Sequence, residues 1–200
     1  AADREQFARV VNALNNLKDE SRPAFVLLLG DMVNDEKSPA PWGAYQDVLK
    51  TLRYPVHWTP GNHDPRPETP ARFSFVHEEC LFLGLDSNLW RGGETDAAAQ
   101  FAWLEEQLRA RGKYRFVFVA QHHPLFLHEA GEKDDYFATP VVWRVKLLKL
   151  FEEARVTAVL AGHLHRNTSG WYRGVALLVT PSALNNFDGT PPGFRLVEVT

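Results

Sequence analysis

The fold of this chain is decided by residues 25–31, which read Phe-Val-Leu-Leu-Leu-Gly-Asp. The apolar run shows no polar alternation, and this pattern predicts a strand that is buried on both faces of a sheet. A Gly-Asp turn follows the run at once. The stretch therefore predicts a buried strand with Asp31 at its carboxyl end.

Three later segments repeat this arrangement of an apolar run and a polar turn. Residues 55–59, 116–120 and 157–161 are the runs, and the turns after them contain Gly-Asn-His-Asp, Gln-His-His-Pro and Gly-His-Leu-His. In open α/β sheets the ligand site lies beyond the carboxyl ends of the strands, so we expect the polar residues of these turns to converge. They are Asp31, Asn62, His122, His163 and His165.

The chemistry of these side chains indicates a metal site. A single Gly-Asp turn after a strand is ordinary turn chemistry, whereas four polar strand ends in one chain favour a shared ligand. Carboxylate, amide and imidazole groups without a thiolate suit Mn, Fe, Zn or Ni better than calcium or an iron–sulfur cluster. We expect His57 and His77 to be packing or surface residues, and His123 either to contact the metal ligands or to pack in the core.

The spacing of apolar residues in the rest of the chain predicts one mixed α/β domain over residues 1–200. Apolar spacings of three and four predict helices, and short apolar runs predict further strands. The helices are predicted over residues 3–20, 41–52, 96–111 and 141–154, a hairpin over 73–86, and strands over 175–179 and 194–199.

Composition excludes several classes of function. The 22 basic and 25 acidic residues give a net charge of −3, and the absence of a basic block argues against a nucleic-acid-binding module. No apolar stretch approaches the roughly 20 residues that a membrane helix needs. The single cysteine, Cys80, lies in an apolar run and is predicted to pack in the core. Because the sequence offers no paired cysteines, we expect a cytoplasmic location; the oligomeric state stays open.

The four turns resemble motifs of the calcineurin-like metallophosphoesterases. That family carries, in order, Asp-x-His, Gly-Asp-x-x-Asp, Gly-Asn-His-Asp/Glu, a lone His and Gly-His-x-His, and the last four are visible here. Residues 121–127, 134–137 and 162–167 look most like the subgroup of calcineurin-like phosphoesterase-domain serine/threonine phosphatases. The resemblance extends over nearly the whole chain and implies a four-layer α/β/β/α sandwich.

The resemblance also implies a binuclear centre of two divalent cations. Asp31 would bridge both cations, His165 would bind one of them, and Asn62, His122 and His163 would bind the other. Asp31 and His63 would be the catalytic residues, with His63 protonating the leaving oxygen or stabilising the transition state. Such a metal pair clamps the phosphate and lowers the pKa of a bridging water, which attacks in line.

Several further residues are candidates for supporting the ligands or the substrate. Asn34 stands where the second acid of Gly-Asp-x-x-Asp is usual, and it accepts hydrogen bonds but cannot stabilise an imidazolium by charge. A phosphoprotein substrate is therefore left open beside a phosphorylated small molecule. Asp64 and His123 are the other candidates near the ligands, and Arg66 and Arg166 are candidates for the cation that binds phosphate.

The motif Asp-x-His is not found before the first predicted helix. We therefore expect the first strand of the fold to be missing from this chain, so that the domain is incomplete at its N-terminus. Asp31 and His165 alone then remain for one metal, fewer than the usual four ligands. We expect one metal to bind well and the other poorly.

The leading hypothesis is a metal-dependent phosphomonoesterase, with phosphoserine or phosphothreonine among its possible substrates. A phosphodiesterase that cleaves cyclic nucleotides or other small diesters is the alternative within enzymes, because the same centre serves both ester types. The loop at residues 128–139 is expected to decide between them, although its acids are equally explained as a solvated loop. A non-catalytic scaffold with this fold is the third hypothesis, and an intact His63 argues against it.

Overall fold

Two β-sheets lie at the centre of the computed structural model, which describes residues 2–33, 39–65 and 71–200. In chain order the elements are α1 (Ala2–Asn15), β1 (Val26–Leu28), α2 (Pro39–Leu49), β2 (Val56–Trp58), β3 (Phe73–His77), β4 (Cys80–Gly84), α3 (Glu94–Arg109), β5 (Phe116–Ala120), α4 (Val141–Glu153), β6 (Ala158–Ala161), β7 (Thr168–Tyr172) and β8 (Val175–Val179). Within those described ranges, no helix has both the length and the apolar character needed to cross a membrane.

The larger sheet has six strands in the order β3-β4-β5-β6-β8-β7. Its four central strands, β4, β5, β6 and β8, run parallel, while β3 and β7 pair antiparallel at the edges. Strands β1 and β2 form a separate parallel pair in which Val26 lies opposite Val56. Parallel pairing brings successive carboxyl ends to the same edge of a sheet, and this arrangement positions the polar turns.

The two faces of the six-stranded sheet pack differently because side chains alternate along each strand. On β4, Leu81 and Leu83 join the core that α3 and α4 cover, whereas Cys80 and Phe82 join the core shared with β1. The predicted burial of Cys80 is confirmed, since 7% of it is exposed. The layers are α1 with α2, the two-stranded sheet, the six-stranded sheet, and α3 with α4, so the predicted four-layer sandwich is confirmed.

Helix α1 ends at Asn15, five residues before the predicted end at residue 20. The buried Asn15 side chain donates to the Thr51 carbonyl at 2.8 Å and accepts the Arg53 N–H at 3.0 Å. These bonds tie the end of α1 to the segment after α2. Nearer the start of α1, Phe7 stacks on Tyr45 of α2 with ring centroids 4.6 Å apart, so the two helices form one layer.

Two predictions about strands were wrong, and one strand was missed. Strand β1 is half-buried rather than buried on both faces, because its sheet has only two strands in the described parts of the chain. Residues 194–199 form no strand and are largely exposed. Strand β7 was missed, because its sequence, Thr-Ser-Gly-Trp-Tyr, is polar and its residues are mostly exposed at the edge of the sheet. Pairing with β8, rather than its own hydrophobicity, makes it a strand.

Candidate metal centre

The imidazole of His122 lies at the point where the strand ends meet. Its Nε2 atom is 3.1 Å from Asn62 Oδ1, 2.9 Å from His163 Nδ1 and 3.2 Å from Asp31 Oδ2. The four residues follow four different strands: β1 precedes Asp31, β2 precedes Asn62, β5 precedes His122 and β6 precedes His163. The structure therefore brings together four of the five residues that were expected to converge.

The atoms that meet at this point are hydrogen-bond acceptors. His122 Nδ1 lies 2.6 Å from the Leu29 carbonyl and must donate to it, so Nε2 of the neutral ring carries a lone pair. The Asn62 Nδ2 group donates to the Tyr136 hydroxyl at 3.0 Å, so its Oδ1 faces the cluster. Lone pairs of nitrogen and oxygen repel each other at such distances unless a proton or a cation lies between them.

The spacing of these atoms fits a divalent cation. Ligands held about 2.1 Å from a six-coordinate cation lie about 3.0 Å from their nearest neighbours, and the separations around His122 Nε2 are 2.9–3.2 Å. In addition, the Nε2 atoms of His123 and His163 are buried and lack a hydrogen-bond partner within the described residues. Ligand nitrogens of His122, His123 and His163 lie within 4.8 Å of one another. The donor set therefore suits a metal ion.

A second carboxylate, that of Asp64, fixes the two turns that carry Asp31 and Asn62. It is 2% exposed and accepts backbone N–H groups from Asp31 at 2.8 Å, Met32 at 2.7 Å, Val33 at 3.3 Å and Gly61 at 2.8 Å. All four partners are donors, which matches an ionised carboxylate. Asp64 therefore fixes the turns that carry Asp31 and Asn62 relative to each other.

Close approach of these turns requires two glycines. Gly30 has φ of +89°, and a Cβ added there would lie 2.4 Å from the Gly61 nitrogen. A Cβ added at Gly61 would lie 2.1 Å from Asp31 Oδ1. Asp31 itself has φ of +55°, a conformation that residues other than glycine seldom adopt. Such strain persists where the surroundings enforce it, and here Asp64 does so.

The cluster sets the protonation states that metal binding needs. Burial raises the pKa of the Asp31 carboxyl, but in the metal-free chain the protonated form of His122, through its hydrogen bond and charge, and then His63 lower it to about 2; a bound cation would take the place of that proton on His122 Nε2. Burial and the neighbouring His122 lower the pKa of His163 to about 4. At neutral pH Asp31 is thus a carboxylate and His163 a neutral imidazole, the forms that bind metals.

His123 is buried directly behind the cluster. Its Nδ1 lies 2.8 Å from Ser87 Oγ, and its ring centroid is 4.4 Å from that of His163. Burial, with the charges of His122 and His163, lowers its pKa to about 2. Of the two expectations for His123, contact with the ligand cluster and packing in the core, the structure shows both.

His165 and His63 lie near the centre but outside the group around His122. His165 Nδ1 lies 3.0 Å from Asn185 Oδ1, and its ring stacks on Phe187 at 4.7 Å. Both His163 and His165 have positive φ, +67° and +48°, so the backbone turns sharply through this motif. His63 is exposed, and its backbone N–H donates to Asp31 Oδ1 at 3.0 Å.

The remaining candidates from the sequence are Asn34, Arg66 and Arg166. Asn34 and Arg66 lie outside the described residues. Arg166 is exposed on the turn after His165. In the loop at residues 128–139, Glu132 accepts the N–H groups of residues 127–129, and Asp134 accepts the first N–H of α4 at 2.6 Å. These two acids therefore stabilise the backbone of the loop.

Three residues at this site were missed by the sequence analysis. Asn88 and Arg91 line a pocket of about 140 Å³ together with Gly61, Asn62, Asp64 and Gly92. The third residue, Tyr136, is hydrogen-bonded to Asn62 through its hydroxyl group. Asn88 Nδ2 donates to the Gly61 carbonyl at 3.1 Å. A signal for Asn88 and Arg91 existed, because they follow β4, another parallel strand that ends at this edge. Tyr136 belongs to a loop that sequence alone does not fold back onto Asn62.

This chain is similar to known proteins both in sequence and in fold. A family model described as calcineurin-like phosphoesterase matches residues 3–167. The chain is 37% identical to the serine/threonine-protein phosphatase CPPED1 of Bos taurus, over 98% of this chain and 69% of that protein. It is 26% identical to the 3′,5′-cyclic adenosine monophosphate phosphodiesterase CpdA of Escherichia coli K12, over 87% of this chain and 69% of that protein. The structure of GAP50 of Plasmodium superposes with a TM-score of 0.64 at 14% identity, covering 96% of this chain and 74% of that one, which is a likeness of fold.

Proposed function

Because this chain belongs to the calcineurin-like phosphoesterase family and is a hydrolase of phosphoester bonds, we propose that it cleaves phosphomonoesters at the site around His122. One observation carries the proposal, namely the convergence of acceptor atoms from Asp31, Asn62 and His163 on His122 Nε2. Such an arrangement is stable around a cation, and this family generally uses a pair of divalent metal ions.

In the proposed centre, Asp31, Asn62, His122 and His163 would hold one divalent ion of the Mn, Fe or Zn type. Asp31 and His165 would contribute to the second ion, and the hydrogen bond from His165 Nδ1 to Asn185 leaves His165 Nε2 available as the ligand atom. When bound, such ions polarise the phosphoryl oxygens and supply an activated water as the nucleophile.

The remaining residues bind the substrate and move a proton. The positive charge of Arg91, in the pocket beside Asn62, attracts the phosphate group. His63 is held next to Asp31 through its backbone N–H while its ring stays exposed. We assign the His63 imidazole to protonation of the leaving oxygen, a step that contributes about 10² to 10⁴ in rate near neutral pH.

The sequence relatives also support a choice of substrate. The CPPED1 relative is named a serine/threonine-protein phosphatase, so a phosphorylated serine or threonine side chain is a suitable substrate class. The E. coli relative is named a cyclic nucleotide phosphodiesterase, and this makes a phosphodiesterase the second candidate. The higher identity and wider coverage of the first relative favour the monoesterase.

The test is hydrolysis of p-nitrophenyl phosphate and of bis(p-nitrophenyl) phosphate by the chain with added Mn²⁺. We expect faster turnover of the monoester, and we expect His63→Ala to lower kcat about 10² to 10⁴-fold. His77→Ala is the matched control, because His77 is exposed at the amino end of the neighbouring strand β4, away from the strand ends that build the site.

The outcomes separate the candidates. Faster turnover of the diester would replace the monoesterase with the phosphodiesterase. Absence of turnover with Mn²⁺, Fe²⁺ and Zn²⁺ alike would leave the non-catalytic scaffold. Equal kcat for the parent chain and His63→Ala would remove His63 from the proposed role.

A further inference from the structure

Three exposed aromatic side chains contact the histidines of the candidate metal centre. The rings of Tyr136 and Phe137 both lie 5.6 Å from the ring of His163, and Phe187 stacks on His165 at 4.7 Å. Their exposed fractions are 56%, 43% and 67%, respectively. We refer to these three residues as the aromatic rim. A group of exposed aromatic side chains beside a polar site is a candidate surface for binding a ligand.

The Tyr136 side of the rim is fixed by Arg91. The Arg91 Nη2 group donates to the carbonyls of Asp135 at 2.8 Å, of Tyr136, and of Ala138 at 2.6 Å. Its guanidinium also lies 5.5 Å from the centre of the Tyr136 ring. Together with the bond between Tyr136 and Asn62, these contacts hold the ring in one position before any ligand arrives.

The Phe187 side of the rim is fixed by its own loop. The Phe187 N–H donates to the His165 carbonyl at 3.1 Å. The neighbouring Asn186 side chain accepts the Ser182 N–H at 2.7 Å and donates to the carbonyls of Thr190 at 3.2 Å and Pro191 at 3.1 Å. Both parts of the rim are therefore preorganised, which lowers the entropy that binding would cost.

Tyr136 brings one end of the rim to the pocket assigned to the phosphate. Tyr136 contacts Asn62 and Arg91, and both of these residues line that pocket. The Tyr136 ring is therefore within reach of the organic group of a phosphate ester bound there. A flat aromatic group gains stacking and edge contacts with aromatic side chains that a saturated group of the same size does not gain.

We propose that the aromatic rim binds an aromatic ring that lies next to the phosphate ester in the substrate, so that among phosphomonoesters, including phosphorylated serine or threonine flanked by an aromatic residue, those with such a ring are preferred. This inference rests on the proposed phosphomonoesterase function. A well-placed ring contact changes affinity up to about tenfold. We therefore expect about a tenfold preference for an aromatic ester over a saturated one.

The test compares benzyl phosphate with cyclohexylmethyl phosphate, two esters of similar size whose primary alcohols are leaving groups of similar basicity. The readout is the ratio of the two kcat/KM values, which a change in metal content or in the amount of folded protein leaves unaltered. We expect a ratio of about 10 for the parent chain and clearly lower ratios for Phe137→Ala and Phe187→Ala. The milder Phe137→Leu serves if Phe137→Ala folds poorly, and we expect it to lower the ratio as well.

Trp171→Ala is the matched control, since Trp171 is 74% exposed but lies opposite Ala176, at the end of the sheet away from the site. We expect it to keep the parent ratio. A parent ratio near 1, or a ratio that Phe137→Ala and Phe187→Ala leave unchanged, would overturn the role of the rim while the proposed function stands. Failure to hydrolyse either ester, or p-nitrophenyl phosphate, would overturn the proposed function and this inference with it.

Discussion

Replacement of Asp64 by Asn tests whether one buried carboxylate assembles the site. Asp64 accepts four backbone N–H groups, two on each oxygen. An Asn side chain keeps one acceptor oxygen and turns an NH₂ donor toward the other pair of N–H groups. Hydrogen bonds to a charged group contribute about 1.5–3 kcal/mol each, so the loss of two predicts about 3–6 kcal/mol of unfolding free energy.

The assay is urea unfolding of the metal-free chain at pH 7, followed by circular dichroism. Asp47→Asn is the control, because the exposed Asp47 side chain bonds to Lys50 on the surface of α2, and we expect no measurable change for it. We also expect Asp64→Asn to weaken Mn²⁺ binding, since Asp31 and the turn with Asn62 lose their common support. A loss of unfolding free energy below about 1 kcal/mol, the range of ordinary surface changes, would refute this role of Asp64.

Three further perturbations probe the core, the buried histidine and the loop over the site. Leu83 is fully buried, so Leu83→Ala should cost about 2–5 kcal/mol in urea unfolding; a smaller cost would contradict the core packing. The pKa of His123 is lowered to about 2 in the folded chain, whereas that of an unfolded histidine is about 6.5. The unfolded chain therefore binds a proton that the folded chain does not, and the free energy of unfolding falls as the pH drops below about 6.5. Between pH 7 and 5 this loss is about 2 kcal/mol in the metal-free chain, and His123→Gln should remove that part of the pH dependence. Arg91→Gln breaks the contacts with residues 135–138 and removes the charge beside the phosphate pocket, so KM for a phosphomonoester should rise about tenfold or more; an unchanged KM would exclude Arg91 from substrate binding.

The convergence of the four ligands could be predicted because it depends on a rule of topology. Parallel strands end at one edge of their sheet, and this rule brings Asp31 near Asn62 and His122 near His163. The meeting of these two pairs depends in addition on the packing of the two-stranded sheet against the six-stranded sheet. The same rule applies to β4, which is followed by Asn88 and Arg91. The sequence does not single out Asn88 and Arg91, because the residues after β4 lack the imidazole and the Gly-rich pattern of the other turns.

Features that depend on tertiary contacts could not be predicted in this way. The end of α1 is set by bonds from Asn15 to residues 51 and 53, far along the chain. Strand β7 depends on pairing with β8, since its own sequence is polar. The position of Tyr136 depends on Arg91, which ties two loops that are 45 residues apart. Local propensity and periodicity carry no information about such contacts.

Mn²⁺ binding, measured by the loss of the free-ion electron paramagnetic resonance signal, tests the central claim that a metal ion is held around His122. We expect the parent chain and His77→Ala to bind at least one Mn²⁺ tightly. We expect His122→Ala to bind Mn²⁺ more than about 100-fold more weakly, because residues that merely support metal ligands already contribute about 10–100-fold to affinity. Absence of Mn²⁺ and Zn²⁺ binding in the parent chain, or unchanged affinity in His122→Ala, would contradict the account.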